Sequence, residues 1–175
     1  MKRFLALVFV VIAIVPRIYG VDFKFLTGIN ISKCVYMGVN LAPKSRIGLL
    51  LGGGAEFNLS KNISFELNGL YFQKRYTQGI WDEEGEIQTI AFTFHEINLP
   101  LFVKFKRLFR SSFYLFGGGE LAYIASGESS YKFDYGAVAG GGIELEKLIP
   151  LSSLEVRFRL GMNALTIAFI LAFSL

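Results

Sequence analysis

The chain has almost none of the residues that build metal centres or nucleophilic machinery. Its 175 residues include one cysteine, Cys34, and one histidine, His95. A lone cysteine excludes an intramolecular disulfide. One histidine excludes a three-histidine metal centre and a Cys/His cluster. A Ser–His–Asp arrangement would have to use His95, and no G-x-S-x-G turn presents a serine to it. No cofactor motif is present. Past the first twenty residues, no apolar run reaches the ~18 residues that mark a spanning helix.

Charged residues are also few, at 18%, while 53% of the chain is hydrophobic and 15% aromatic. Three of the 18 basic residues, Lys2, Arg3 and Arg17, lie within the first twenty; without them the balance against 14 acidic residues is about +1. Such a balance offers no footprint for nucleic acid.

Residues 1–20 have the layout of a secretory signal. Lys2 and Arg3 form a positive start, Phe4 to Val15 an apolar stretch, and Ile18-Tyr19-Gly20 ends on a small residue before the expected cut. The mature domain is then 21–175. An uncleaved anchor is the alternative. No cysteine directly follows the apolar stretch, so lipoprotein processing is not expected.

The mature chain alternates with period two. In residues 96 to 105 every odd position is apolar (Ile97, Leu99, Leu101, Val103, Phe105), while Glu96, Asn98 and Lys104 fall on even positions. That is a strand with one apolar and one polar face. Turn residues and alternation divide the chain into eight strands. They cover Asp22 to Ser32, Arg46 to Asn58, Ile63 to about Tyr76, Ile87 to Lys106, Ser112 to about Ala125, Tyr131 to Glu146, Leu151 to Gly161, and Thr166 to Leu175. Each holds at least the ~9–11 residues of a tilted membrane-crossing strand.

The apolar faces are too many and too continuous for water. The expected fold is all-β: an eight-stranded antiparallel up-and-down transmembrane β-barrel in the outer membrane of a cell envelope. A soluble barrel around an apolar ligand cavity is the alternative. A closed barrel pairs every backbone group that lipid would leave unsatisfied, and an even strand count suits a bacterial single-chain barrel.

The joins support an orientation. Leu59 to Asn62 and Lys147 to Pro150 are tight, and Lys106 to Ser111 is short. Lys33 to Ser45 and Thr77 to Glu86 are longer and more polar; Ser126 to Ser130 is modest and Met162 to Leu165 is short. Short periplasmic turns and longer outer loops are the pattern of such barrels, which places both termini in the periplasm. Phe23, Phe72, Tyr76, Phe109, Tyr123 and Tyr131 fall near strand ends, where aromatic girdles sit.

The inward faces collect a polar network: Glu56, Glu66, Glu96, Lys104, Glu120, Glu144, Glu155, Arg157 and Arg159, joined by Asn68, Asn98 and Asp134. Eight strands enclose a space just wide enough for side chains. The expectation is a packed polar lumen in which Arg157 and Arg159, with Lys104, bridge the glutamates. An ion pore is the alternative. Three glycine triplets (Gly52–Gly54, Gly117–Gly119, Gly140–Gly142) each precede an inward glutamate and make room for long side chains. None is followed by the Lys-Ser/Thr and helix of a phosphate cradle. Asp82, Glu83 and Glu84 read as a solvated run. The tripeptides at Asn30 and Asn62 that match glycosylation acceptors are read as chance.

Several segments carry a resemblance. They are Gly28 to Ser32, Gly48 through Tyr76, Glu96-Ile-Asn-Leu-Pro-Leu-Phe-Val-Lys104, Phe116 to Tyr123, Tyr135 to Glu144, and Arg157 to Gly161. Together they resemble the PorT-like outer-membrane β-barrel family of Bacteroidota-type bacteria, with Glu96 to Leu101 the most specific part. The resemblance implies an eight-stranded outer-membrane barrel. The family's namesake is tied to protein export by the type IX route, and the family offers no catalytic residues to carry over. The short join at Met162 to Leu165 departs from the longer outer loop expected there.

The resulting expectation is a non-enzymatic, porin-like envelope protein. It would be a structural or accessory scaffold with a link to secretion. A narrow channel, or an adhesin acting through its outer loops, are the alternatives. Its partners would be the lipid bilayer, the barrel-insertion machinery reading the final Phe173-Ser174-Leu175, and envelope or secretion proteins.

Overall fold

The computed structural model describes residues 20–34, 44–81, 87–107, 112–126, 132–145, 151–162 and 164–174. Eight strands form it: β1 (Val21–Cys34), β2 (Lys44–Asn58), β3 (Ile63–Trp81), β4 (Ile87–Phe105), β5 (Phe113–Ser126), β6 (Phe133–Glu144), β7 (Leu151–Gly161) and β8 (Ala164–Ser174). Each pairs antiparallel with the next, and β8 pairs with β1 from Lys24↔Ser174 to Cys34↔Ala164. The barrel is closed, so the described strands leave no free edge.

Closure carries a stagger. Following paired residues around the barrel from Asp22 leads through Glu56, Glu66, Phe102, Gly118, Val138, Arg159 and Thr166, and returns to β1 at Ser32, ten residues further on. A stagger of this kind tilts the strands, typically by about 35–45°. With strand number it sets the barrel's width, and hence which side chains meet inside.

The apolar faces point outward. Leu99, Leu101, Phe158 and Leu160 are each about half exposed or more, at 48, 53, 50 and 63%, whereas Glu66 and Asn98 between such rows are fully buried. In water that inversion would be unstable; in hydrocarbon it satisfies both faces.

Local irregularities have local causes. The β3–β4 pairing skips from Leu67↔Leu101 to Leu70↔Asn98; Pro100 lies in the skip and has no N–H to give. A register shift between Arg46 and Leu50 disturbs the β2–β3 ladder. The Asn30 amide spans the place, donating to Leu49 O at 3.1 Å and Gln73 O at 3.2 Å. Asn30 and Ser32 are both buried in the lumen, so that acceptor-like tripeptide serves the interior. The tight turn after β2 is held by Ser60, whose Oγ accepts from Asn62 N at 3.2 Å and Ile63 N at 3.0 Å.

Three expectations need correction. β3 continues past Tyr76 to Trp81 and pairs as far as Trp81↔Ile87, so half of the supposed loop Thr77–Glu86, residues 77–81, is strand. Ladder pairing needs only backbone, and continues where the alternation of apolar and polar residues lapses. β6 is shorter than expected at both ends, beginning at Phe133 and stopping at Glu144. Phe72 belongs to no girdle: it is buried and packs with Leu26, Leu50, Leu70 and Ile170, because its even position on β3 faces inward. Tyr123 does lie on the outer surface against Phe133, ring centroids 5.3 Å apart. Residues 1–19, 35–43, 108–111 and 146–150, the Asp82–Glu84 run, Phe109, Tyr131 and Leu175 lie outside the described residues.

Leu101 sits mid-row on the outer face of β4, between Ile97 and Phe105. Replacing it with arginine is expected to cost ~2–4 kcal/mol, the range for a cation at the bilayer midplane, while Leu59→Arg at the turn costs about 0–1. Urea unfolding from phospholipid vesicles, read by the mobility difference between boiled and unboiled samples, checks the contrast.

Candidate functional site in the barrel lumen

The inward side chains sort into two ion-pair clusters. The first lies towards the tight-turn end. Lys104 Nζ is 2.6 Å from Glu66, 3.4 Å from Glu155 and 3.5 Å from Glu56. Lys24 pairs with Glu56 and lies 3.4 Å from Glu66. Arg157 grips Glu155 through Nη2 at 2.6 Å and Nε at 2.9 Å, and reaches Glu66 at 3.5 Å. Strands β3 and β7 are four apart in an eight-strand ring. The Arg157–Glu66 pair therefore spans the lumen, and side chains alone fill its width.

Further groups complete that cluster. The Tyr114 hydroxyl donates to Glu155 at 2.7 Å and Ser64 donates to Glu56 at 2.7 Å. Lys106, at the mouth, pairs with Glu56 and lies 3.9 Å from Glu144. Four cations face four carboxylates, so the cluster is formally neutral. The Arg157 guanidinium also lies 4.9 Å from the Phe102 ring centroid and 5.5 Å from that of Phe116. Both are within cation–π range. A polar cavity of about 90 Å³ opens beside Lys24, Glu56, Lys106 and Glu144.

The second cluster lies towards the opposite end. Lys74 is 2.6 Å from Glu96; Arg159 pairs with Glu120, lies 2.9 Å from Asp134 and 3.9 Å from Glu96. Asn98 donates to Glu120 at 2.8 Å. Three carboxylates here meet two cations. Among the described residues no ion pair joins the two clusters. Apolar side chains pack in the lumen beside them: Leu26, Leu50, Leu70, Phe72 and Ile170 form one group, and Phe102, Phe116 and Val138 another that includes the two rings against Arg157.

The structure thus places Glu56, Glu66, Lys104, Glu144, Glu155 and Arg157 in one cluster, and Glu96, Glu120 and Arg159 in the other. Asp134 and Asn98 join the second. Asn68 lies buried beside Glu66, to which it donates at 3.1 Å. Sequence reasoning missed Lys24, Lys74, Lys106 and Tyr114. Lys24 and Lys74 occupy the same inward parity as Leu26 and Glu66, so alternation alone could have marked them.

Burying charges is costly, by several kcal/mol per ion, and is offset only when each finds good partners. The glycine triplets make the geometry possible. On β6, Gly140 lies directly opposite Arg157 and Gly142 opposite Glu155. A Cβ at Gly140 would run into the Phe116 ring and Val156 O. The long chains of β7 thus lean across a floor without side chains.

His95 and Glu96 face opposite ways. His95 points to the outer face and stacks on Tyr71, ring centroids 5.7 Å apart, with Nδ1 against the tyrosine hydroxyl. Among the described residues no three His, Cys, Asp or Glu side chains are grouped to hold a metal ion. A depression of about 780 Å³, bordered by Ile29, Leu115, Leu154, Phe169 and Leu171, lies on the outer surface rather than in the lumen.

A family model described as outer membrane protein beta-barrel domain matches residues 19–166. Solved structures with a similar fold include Ail, the attachment invasion locus protein of Yersinia pestis. It shows a TM-score of 0.50 and 14% identity, over 87% of this chain and 97% of that one. OprG from Pseudomonas aeruginosa gives 0.50 and 9%, over 88% and 93%. At such identities the likeness is one of fold. No curated protein matches the chain by sequence.

Removing Arg157 leaves Glu155 and part of Glu66 short of charge compensation. Arg157→Met is expected to destabilise the barrel by ~3–5 kcal/mol, and Arg157→Met with Glu155→Gln to recover much of it. Denaturant titration of both variants measures the difference. Gly140→Ala should cost ~1–3 kcal/mol by overpacking. Gly119→Ala, where a new Cβ meets only Gly136 O at 3.9 Å, should stay within about 0.5 kcal/mol of wild type. The same titration checks this pair.

Proposed function

The chain belongs to the family of outer membrane protein beta-barrel domains, and from that premise we propose that it is a non-enzymatic scaffold of the outer membrane, closed to solute flow. One observation carries this reading: the Arg157–Glu66 contact across the lumen, within ion-pair clusters whose side chains fill its width. An ion entering the lumen would have to break pairs in one cluster and then in the next.

In this reading residues 1–20 are a leader removed on export, and the final strand is what the insertion machinery engages. The PorT-like segments favour a place beside envelope or secretion assemblies. A scaffold of this kind offers partners its rims and outer face, and its lumen network serves rigidity.

A narrow cation path is the second reading. The excess carboxylate among Glu96, Glu120 and Asp134 favours it, since a lone buried carboxylate attracts a cation. The adhesin reading depends on residues 35–43 and 82–86, which are outside the described residues.

Planar-bilayer recording of the purified protein separates the first two. Closed baselines with no reproducible openings are expected. Stable openings that prefer cations, and that vanish in Glu120→Gln, would replace the scaffold with the channel.

A further inference from the structure

The outer face carries a basic patch that the lumen does not explain. Arg75 continues the outward row of β3 above Ile63, Phe65, Leu67 and Tyr71 and is exposed. On β2 the register shift after Arg46 brings Arg46 directly opposite Arg75. Directly opposed residues of antiparallel strands share a face, with Cβ atoms about 5 Å apart. Both arginines therefore project outward together. Lys33 follows Ile31 on the outward row of β1, one step above the Ile31↔Ile47 pair, and is exposed. Three cations on three successive strands thus share one face.

None of the three has an ion-pair partner among the described residues. Like charges placed directly opposite each other destabilise a strand pair, so the arrangement favours an anion between them. Its level on the barrel says which. About 9–11 residues of tilted strand cross the hydrocarbon. Arg75 lies twelve residues beyond Ile63, and Arg46 immediately precedes the exposed apolar row of Ile47, Leu49 and Leu51. The cations sit just past the apolar belt, at the end away from the tight Leu59–Asn62 turn, hence at the outer leaflet. At the same rim, β5 to β7 present Tyr123, Phe133, Leu160 and Met162 instead. The patch is confined to one side.

We infer that Lys33, Arg46 and Arg75 form a binding site for the phosphate of an outer-leaflet glycolipid, whose acyl chains lie along Ile31, Ile47, Leu49 and Tyr71. Paired guanidinium groups suit phosphate through parallel N–H···O bonds. The aliphatic rows below suit the chains of the same molecule. A soluble anion would use only half of this surface. The ligand remains in the membrane, and the site would anchor and orient the barrel within its leaflet.

The test uses the full chain in phosphatidylcholine bilayers containing a minor fraction of lipid A. Lipid retained after gentle detergent extraction is identified by native mass spectrometry. Lipid A should be enriched over its bulk share, and lipid A stripped of its phosphates should not be. Arg46→Gln and Arg75→Gln should each reduce the enrichment about fivefold, near the ~1 kcal/mol assigned to one basic residue at a membrane surface. Lys132→Gln, on β6's side of the barrel, should leave it unchanged. Boiled and unboiled mobilities verify that each variant is folded. Equal enrichment of the dephosphorylated lipid, full enrichment in the variant carrying both Arg46→Gln and Arg75→Gln, or displacement by inorganic phosphate would each overturn the assignment. The dephosphorylated-lipid arm uses the unaltered protein and decides the matter even if a variant fails to fold.

Discussion

Lipid offers a peptide group nothing to hydrogen-bond with, and the rest of this barrel follows from that constraint. Eight strands must close, and closing them with a ten-residue stagger sets the width of the lumen. Within that width Arg157 on β7 and Glu66 on β3 meet across the interior. Long polar side chains reach one another from opposite walls, and small residues must lie where they cross. The glycines of β6 facing Glu155 and Arg157 are the counterpart of that reach.

The interior holds two clusters. A neutral one around Lys104 and Arg157 lies near the tight-turn end, and one around Arg159 with one carboxylate to spare lies towards the other, with apolar groups packed beside them. Within each cluster the charges pair with neighbours in space, although partners such as Glu66 and Arg157 are 91 residues apart in sequence. Networks of this kind add less to stability than their number of contacts suggests, because every charge was taken out of water first. Their value lies in specificity. A slip of one residue in any strand would turn its charges into lipid and its apolar row into the lumen.

The outer surface obeys a different rule. Its belt is aliphatic and aromatic, and the exceptions cluster at the rims. Tyr71 and His95 hold each other on one face, and Lys33, Arg46 and Arg75 stand just above the belt. At such an interface a long basic side chain keeps its stem in the apolar region and its charge in the headgroups.

Period-two alternation by itself determined the strand count, the inward parity of Glu56, Glu66, Glu96, Lys104, Glu120, Glu155, Arg157 and Arg159, and the outward rows of β2, β4 and β8. Alternation is local, and a strand with one polar face shows it without any partner. The same parity would have marked Lys24, Lys74 and Phe72. It left the extent of β3 beyond Tyr76 hidden, since backbone pairing continues there without an apolar pattern. Which carboxylate meets which cation was not legible either. Those partners depend on the stagger of the closed ladder, just as the Arg46–Arg75 pair depends on the shift at Arg46. Both are properties of how strands register against one another, and only the closed tertiary structure decides them.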